Sequence, residues 1–516
     1  MFNKIGNLGG IFGQKGEGHP LATARSLKSV IEEIPCDNAF RALDEVVGWL
    51  ESLRGANEFP AERLFETVRQ FDDVAQPHLR RLAREYLNTA RLNRSDEKRL
   101  WAINHGFWLQ VAEAYESCLK VLSQKNKAAD LVKQSLPMLA ARLINALSEL
   151  IKWEQFHYGP SPELVWKRMG QALLIAEELG VAEKPLPSLG GRTGMTSPQA
   201  EYIRAVAFQA ASMDSLLPLE IELAERLIEH CLGSFIFTVE AQTDSVYWVD
   251  LVLADAPQRL ARMPDEARPT QRFFKPANAH LQFKALLGLL EKGGELPPEI
   301  ALGGQYTPRV LIPVLQHLAA YLSPVPPQRS NDRHRVKHRI SVLNGLINAF
   351  VVFSSEFGGR PTGLQIESWV VENVSRGGFG ALIGSIPGEW MKVGVLLAIQ
   401  PEGGDNWLLG IVRRYHRESD AEAKVGIQTL ATKASAIECR PRTASSYGAA
   451  ATMPALLIEE GNAAGEVRLV LPAHSFDLRE NLEYQIDGRR FLLTPVAQLE
   501  LTADYEVARY RQTADS

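Results

Sequence analysis

From about residue 37 to residue 233 the apolar residues recur at helical spacing. Leu43, Val46, Val47, Leu50 and Leu53 fall on one stripe, and Asp37 or Asn38 stands where an N-cap belongs. Pro60 is placed to open a second helix in which Leu64, Val68 and Phe71 share a face. The same period predicts helices over 100–122, 139–153, 162–179 and 218–229, separated by short polar or Pro/Gly breaks such as 158–161. This predicts an array of helices. A TPR-like solenoid is one form it could take, although no 34-residue self-similarity is visible.

The pattern changes at Ser234. Phe235 to Val239 and Val246 to Val249 are rich in aromatic and β-branched residues with Gln242-Thr243-Asp244 between them, which predicts a β-hairpin inserted near 234–253. Helical spacing returns over 280–291 and 310–322, then stops at Ser323-Pro324-Val325-Pro326-Pro327, whose prolines cannot continue a helix. Beyond this point the chain reads as β. Short strands are expected over 394–399, 407–415 and 424–430, and again over 455–458 and 467–471 after a small-residue stretch at 444–452. Asp487-Gly488 between two apolar runs is a two-residue hairpin signal.

The expected organisation is therefore a multidomain α + β chain. A flexible segment spans 1–36, a mainly helical domain 37–322, a Pro-rich linker 323–332, a β-barrel 333–432 and a second small β unit 453–510. A fragment starting near Pro326 should fold alone as a β-rich unit.

Composition narrows the classes. The 516 residues carry 56 Lys+Arg against 61 Asp+Glu, a net charge of -5, which argues against broad non-specific binding of DNA or RNA. Cys36, Cys118, Cys231 and Cys439 share no CxxC spacing, so reduced thiols and a cytoplasmic location fit better than zinc or a disulfide framework. No apolar run is long enough to span a membrane, and the Gly-rich N-terminus lacks a signal-peptide pattern.

One stretch stands against this acidic background. Arg329, Arg333, Arg335, Lys337 and Arg339 follow the prolines with only Asp332 to oppose them. A solvated charge run is the plain alternative. However, Arg335 to Arg339 form an RxxxR element, and 34 residues after Arg339 comes Asn373-Val374-Ser375-Arg376-Gly377-Gly378, an NxSxxG element. In this order and on a β background the pair resembles the PilZ domain over about residues 328–432. Runs beginning at Glu389, Gly410 and Val425 look like that family's later strands, and Leu430 stands where an aromatic residue is common.

The resemblance implies a six-stranded antiparallel barrel that binds cyclic di-GMP. Arg335 and Arg339 would meet phosphate and guanine, Asn373 and Ser375 the other base contacts, Gly378 the tight turn, and Arg333 a further phosphate. The chemistry agrees with this. A guanidinium forks onto guanine O6 and N7 or onto phosphate, and two short polar residues at i and i+2 share a face of an extended segment. The arginines are expected on a mobile leader that orders when a doubly anionic ligand arrives.

No catalytic constellation, P-loop ending or paired metal spacing is present, so the chain is read as a non-enzyme without cofactor. It is read as an adaptor whose helical region meets a protein partner, with motility, type IV pili or biofilm implied as its sphere by the resemblance alone. A protein-interaction scaffold whose barrel does not bind nucleotide is the alternative. Gly-rich 188–194 is expected to be a loop, and Trp101, Phe107 and Trp108 to be core.

Overall fold

Polar caps start the first helices. The Asn38 side chain accepts from the Arg41 amide at 3.1 Å and opens α2 (Ala39–Ser52), whose buried stripe is Leu43, Val46 and Leu50. Thr23 and Ser26 form a capping box that opens α1 (Ala24–Glu33). The expected flexible stretch to residue 36 is therefore helical over 24–33, with Leu27 and the preceding Leu21 buried. The computed structural model describes residues 19–55, 59, 61–89, 92–124, 129–261, 263–264, 266–328, 334–354, 363–384, 390–419, 421–442, 452–486 and 488–514.

The chain divides into two compact units, Met1–His157 with Ser161–Met213 and Pro218–Pro327 in the first, and Tyr158–Pro160 with Asp214–Leu217 and Gln328–Ser516 in the second. The first is helical. Its α3 (Ala61–Asn88), α4 (Arg94–Gln124) and α5 (Ala129–Phe156) run 28, 31 and 28 residues, each nearly as long as a whole 34-residue helix pair. These three helices are thus longer than those of a 34-residue repeat. Phe107 and Trp108 are buried as expected, while Trp101 is half-buried and stacks on His105 and His157.

Further along are α6 (Val165–Glu178), α7 (Pro198–Ala210), α8 (Pro218–His230), α9 (Ala279–Glu291) and α10 (Pro308–Tyr321). The Gly-rich loop joins two short strands, β1 (Leu186–Pro187) and β2 (Met195–Thr196). The expected hairpin is not one. Ile236–Thr238 (β3) and Tyr247–Asp250 (β4) both pair with Gln271–Lys275 (β6), and Gln258–Arg259 (β5) completes the order β3-β6-β4-β5. The central strand escaped sequence reading because its two phenylalanines are adjacent and flanked by Arg272 and Lys275, leaving no alternation to see.

A charged network occupies the middle of this unit. Lys152 Nζ lies 2.7 Å from carboxylate oxygens of Glu149 and Glu225, and 3.1 Å from Glu222. Buried Arg204 pairs with Glu201 at 2.9 Å and with Glu225, and donates to Asn145 Oδ1 at 2.9 Å. Arg192 of the Gly-rich loop reaches the same Glu201 and Asn145. Buried ions persist only when paired and hydrogen-bonded, which these are.

The second unit is two closed six-stranded antiparallel barrels. The first comprises β7 (His334–Asn344), β8 (Glu367–Ser375), β9 (Gly378–Ile383), β10 (Leu396–Pro401), β11 (Leu408–Arg417) and β12 (Ala423–Ala431), closed by β7–β10 pairing. Trp369, Val371, Ile399, Val425 and Ile427 fill it. The run from Glu389 that resembles a strand becomes one only at Leu396, since β9 directly follows the NxSxxG turn. An apolar helix, α11 (Leu346–Ser354), follows β7 and was not foreseen.

The second barrel comprises β13 (Ser435–Pro441), β14 (Met453–Ile458), β15 (Glu466–Pro472), β16 (Leu482–Ile486), β17 (Arg489–Leu501) and β18 (Tyr505–Ala514). Residues 486 and 489 pair across the expected hairpin; Gly488 sits at φ +76°, while Asp487 lies outside the described residues. A shared core joins the barrels, with Leu396, Leu409 and Ile411 of the first against Leu456, Val470 and Tyr505 of the second, and Leu346 and Ala349 of α11. Leu430, at the family's usual aromatic position, packs on this core.

Candidate functional site

The site residues lie on β7, β8 and the start of β9. Ile340 is buried in the barrel and Val336 packs against its core, while Arg335 and Arg339 are exposed. The expected mobile leader is not found over 334–339. Those residues already belong to β7 and pair with β8, so the arginines are held in a ladder. Arg333 and Arg329 lie outside the described residues.

Strand register brings the two motifs together. Arg335 stands directly opposite Asn373 across the β7–β8 ladder, and Arg339 opposite Val370. The ladder is irregular between Arg335 and His338 on β7, and between Val371 and Asn373 on β8 where it faces β9. Bulges re-aim side chains. Here Val371 and Val374 both turn to the core three residues apart, which leaves Asn373 and Ser375 on the same face as each other. Arg339 Nη1 is 3.3 Å from Ser368 Oγ, a weak restraint, and its backbone carbonyl accepts from the Glu402 amide at 3.0 Å.

Asn373 is half-buried, and among the described residues its enclosed Oδ1 has no hydrogen-bond donor. An unsatisfied buried acceptor costs about 1–3 kcal/mol, so it marks a place where a donor is wanted. The space for this amide comes from Gly380, where a Cβ would lie 2.7 Å from Asn373 Nδ2. Gly380 was missed from sequence because its role depends on the register that sets it opposite Asn373.

Ser375 donates its hydroxyl to the Gly378 carbonyl at 3.1 Å, closing the turn, and keeps its lone pairs available as acceptors. Gly378, at φ +151°, sits in the turn and also has a packing role. A Cβ there would stand 1.9 Å from the Ile427 carbonyl oxygen, so only glycine lets β12 lie against the turn.

Cavities among the described residues lie elsewhere. One of about 440 Å³ in the helical unit is lined by Asn145, Glu149, Lys152, Arg192, Arg204 and Glu229 among others. Another of about 570 Å³ lies beside Gly345, Trp390, Lys392 and Tyr505 in the second unit. The motif residues line neither. They make an open face, and the geometry of donors and acceptors there is a better guide than concavity, because arginine side chains can close over a ligand from an open strand. Among the described residues no group of three or more His, Cys, Asp or Glu is arranged to hold a metal, and no helix is long and apolar enough to cross a membrane.

No curated protein matches the chain. Residues 25–242 match the family model described as the N-terminal domain of the cyclic-di-GMP receptor FimW, a segment wholly N-terminal to the two motifs. Residues 25–242, less than half of the chain, are thus similar to the N-terminal domain of that receptor.

Proposed function

We propose that the chain is a cyclic di-GMP receptor that binds its ligand on the outer face of the first barrel and acts as an adaptor rather than an enzyme. The reading rests chiefly on one observation. Arg335 faces Asn373 across two strands, and among the described residues the Asn373 carbonyl oxygen lacks a donor. Guanine offers N–H donors on one edge and the O6/N7 acceptor pair on another, so an asparagine acceptor beside arginine forks complements it. Arg339 and, upstream, Arg333 supply charge for the two phosphates, and Ser375 and Gly378 hold the turn that sets Asn373 in place. No metal or cofactor is needed for this role.

The helical region is proposed to carry the output by contacting a protein partner. The resemblance suggests motility, type IV pilus or biofilm control in a bacterial cytoplasm. The match of residues 25–242 to a receptor family supports the receptor half of this reading. Calorimetric titration of the purified chain with cyclic di-GMP, beside GTP and cyclic di-AMP, tests it. Saturable binding of cyclic di-GMP alone is expected, and its absence would leave the barrel as an interaction scaffold.

A further inference from the structure

The second barrel has no role in the reading above, yet one of its carboxylates is wired to the strand that backs the nucleotide turn. Arg413 falls at an irregularity of the β11–β12 ladder, where Val412 pairs with Ile427 and Arg414 with Gly426. As the unpaired residue of a bulge it is free to leave the ladder's alternation. Its Nη1 and Nη2 donate to the two oxygens of Glu500 on β17 at 2.7 and 2.8 Å, a bidentate pair. Its Nε donates to Gln428 Oε1 at 2.7 Å.

Gln428 is the β12 residue directly opposite Gly378. The Ile427 carbonyl occupies the space a Cβ on Gly378 would need, and the Thr429 N–H, two residues on, donates to the Gly377 carbonyl at 3.0 Å. Residues 427–429 are therefore the surface on which the Ser375–Gly378 turn is seated.

We infer that Glu500 of the second barrel, acting through Arg413 and Gln428, is a positioning residue for the turn that presents Asn373 and Ser375. The inference deepens the proposed cyclic di-GMP reading and rests on it for its link to binding. The physical reason is rigidity. A half-buried bidentate pair spanning two barrels fixes the guanidinium more firmly than a rim contact would, and a fixed guanidinium fixes the Gln428 side chain and the strand beneath the turn.

Glu500→Gln keeps the shape but removes the charge. Two readouts separate this inference from the reading it rests on. Without nucleotide, hydrogen exchange at the Thr429 amide and at residues 375–378 should quicken in Glu500→Gln by about fivefold, an effect typical of coupled neighbours. With nucleotide, cyclic di-GMP affinity should fall by about the same factor, with the melting temperature little changed. The charge swap Arg413→Glu with Glu500→Arg re-forms the pair, and Gln428 can then donate its amide, so both readouts should return to within about twofold of the starting chain. Glu483→Gln, which breaks the second barrel's own Arg440 pair, should move neither readout.

Unchanged exchange in Glu500→Gln overturns the clamp whether or not nucleotide binds. Quickened exchange with unaltered affinity overturns its link to binding. If the starting chain itself binds no cyclic di-GMP, the receptor reading fails, and the link to binding fails with it.

Discussion

At the scale of single residues, the arginines and glycines of the first barrel make opposite predictions. Arg335→Ala or Arg339→Ala removes charge-assisted hydrogen bonds worth about 1.5–3 kcal/mol, so cyclic di-GMP binding should weaken by roughly tenfold to a hundredfold. Both side chains are exposed, and unfolding free energy should shift by less than about 0.5 kcal/mol. Isothermal titration and thermal melts on the same samples check both halves; unaltered affinity in both variants would remove the proposed site.

Gly378→Ala forces a Cβ onto the Ile427 carbonyl, which is backbone and cannot swing away, so it should destabilise the barrel by about 3 kcal/mol or more. Gly380→Ala meets only the Asn373 amide, a movable side chain. It should leave the melting temperature within a few degrees and instead displace Asn373, lowering affinity about tenfold. If Gly380→Ala binds normally, Asn373 is not a ligand contact. The motif residues were legible in sequence because their residue types and order carry the chemistry. Gly380 and Arg413 were not, because nothing in their own neighbourhood marks them. They matter through partners that only strand register supplies.

At the scale of elements, α5 carries Asn145, Glu149 and Lys152 on one face, and α7 and α8 bring Glu201, Arg204, Glu222 and Glu225 against it. Burial alone would push the Glu225 carboxyl up. The Lys152 ammonium and the Arg204 guanidinium outweigh it and hold the group at about 2, against an ordinary value of 4.5. A depressed carboxylate contributes stability in full above its unfolded-state pKa and loses it as pH falls towards the folded value, here from about 4.5 to about 2.

Urea midpoints from far-UV circular dichroism should therefore drop between about pH 7 and about pH 3. Glu225→Gln should cost about 3 kcal/mol at neutral pH, because Lys152 loses a buried partner, and should shrink the acid-dependent drop. An equal drop in that variant would assign the acid sensitivity to other groups.

Helical spacing exposed α5 and α8, whose apolar stripes are local, but not α7, which is buried nearly all round and so shows no stripe. The apolar helix after β7 and the central strand of the small sheet were hidden. A short, almost wholly apolar run such as Leu346 to Phe353 has no period to distinguish helix from strand.

At the scale of the molecule, the two barrels form one unit with one joint core. A fragment of residues 328–516 should fold cooperatively and give a β-rich circular dichroism spectrum. A fragment ending at 432 would uncover Leu396, Leu409, Ile411 and α11, and an exposed apolar face of that kind drives aggregation. Size-exclusion chromatography and thermal melts of the two fragments decide this, and a soluble, cooperatively melting 328–432 fragment would refute it.

The sequence by itself determined what is written in local pattern. It located the helical array by its 3.6-residue period, the change to β at the proline run, the Gly488 hairpin, and the RxxxR and NxSxxG residues by chemistry and order. It could not determine which strands pair, because alternation marks the face of a strand and not its neighbour. The tertiary structure decided that Arg335 faces Asn373, that Gly380 makes room for that asparagine, and that Arg339 is held in a strand. It also decided that a carboxylate from a second barrel reaches the strand beneath the turn. Each of these is a contact between segments far apart in the chain, set by strand register and barrel closure, which no window along the sequence contains.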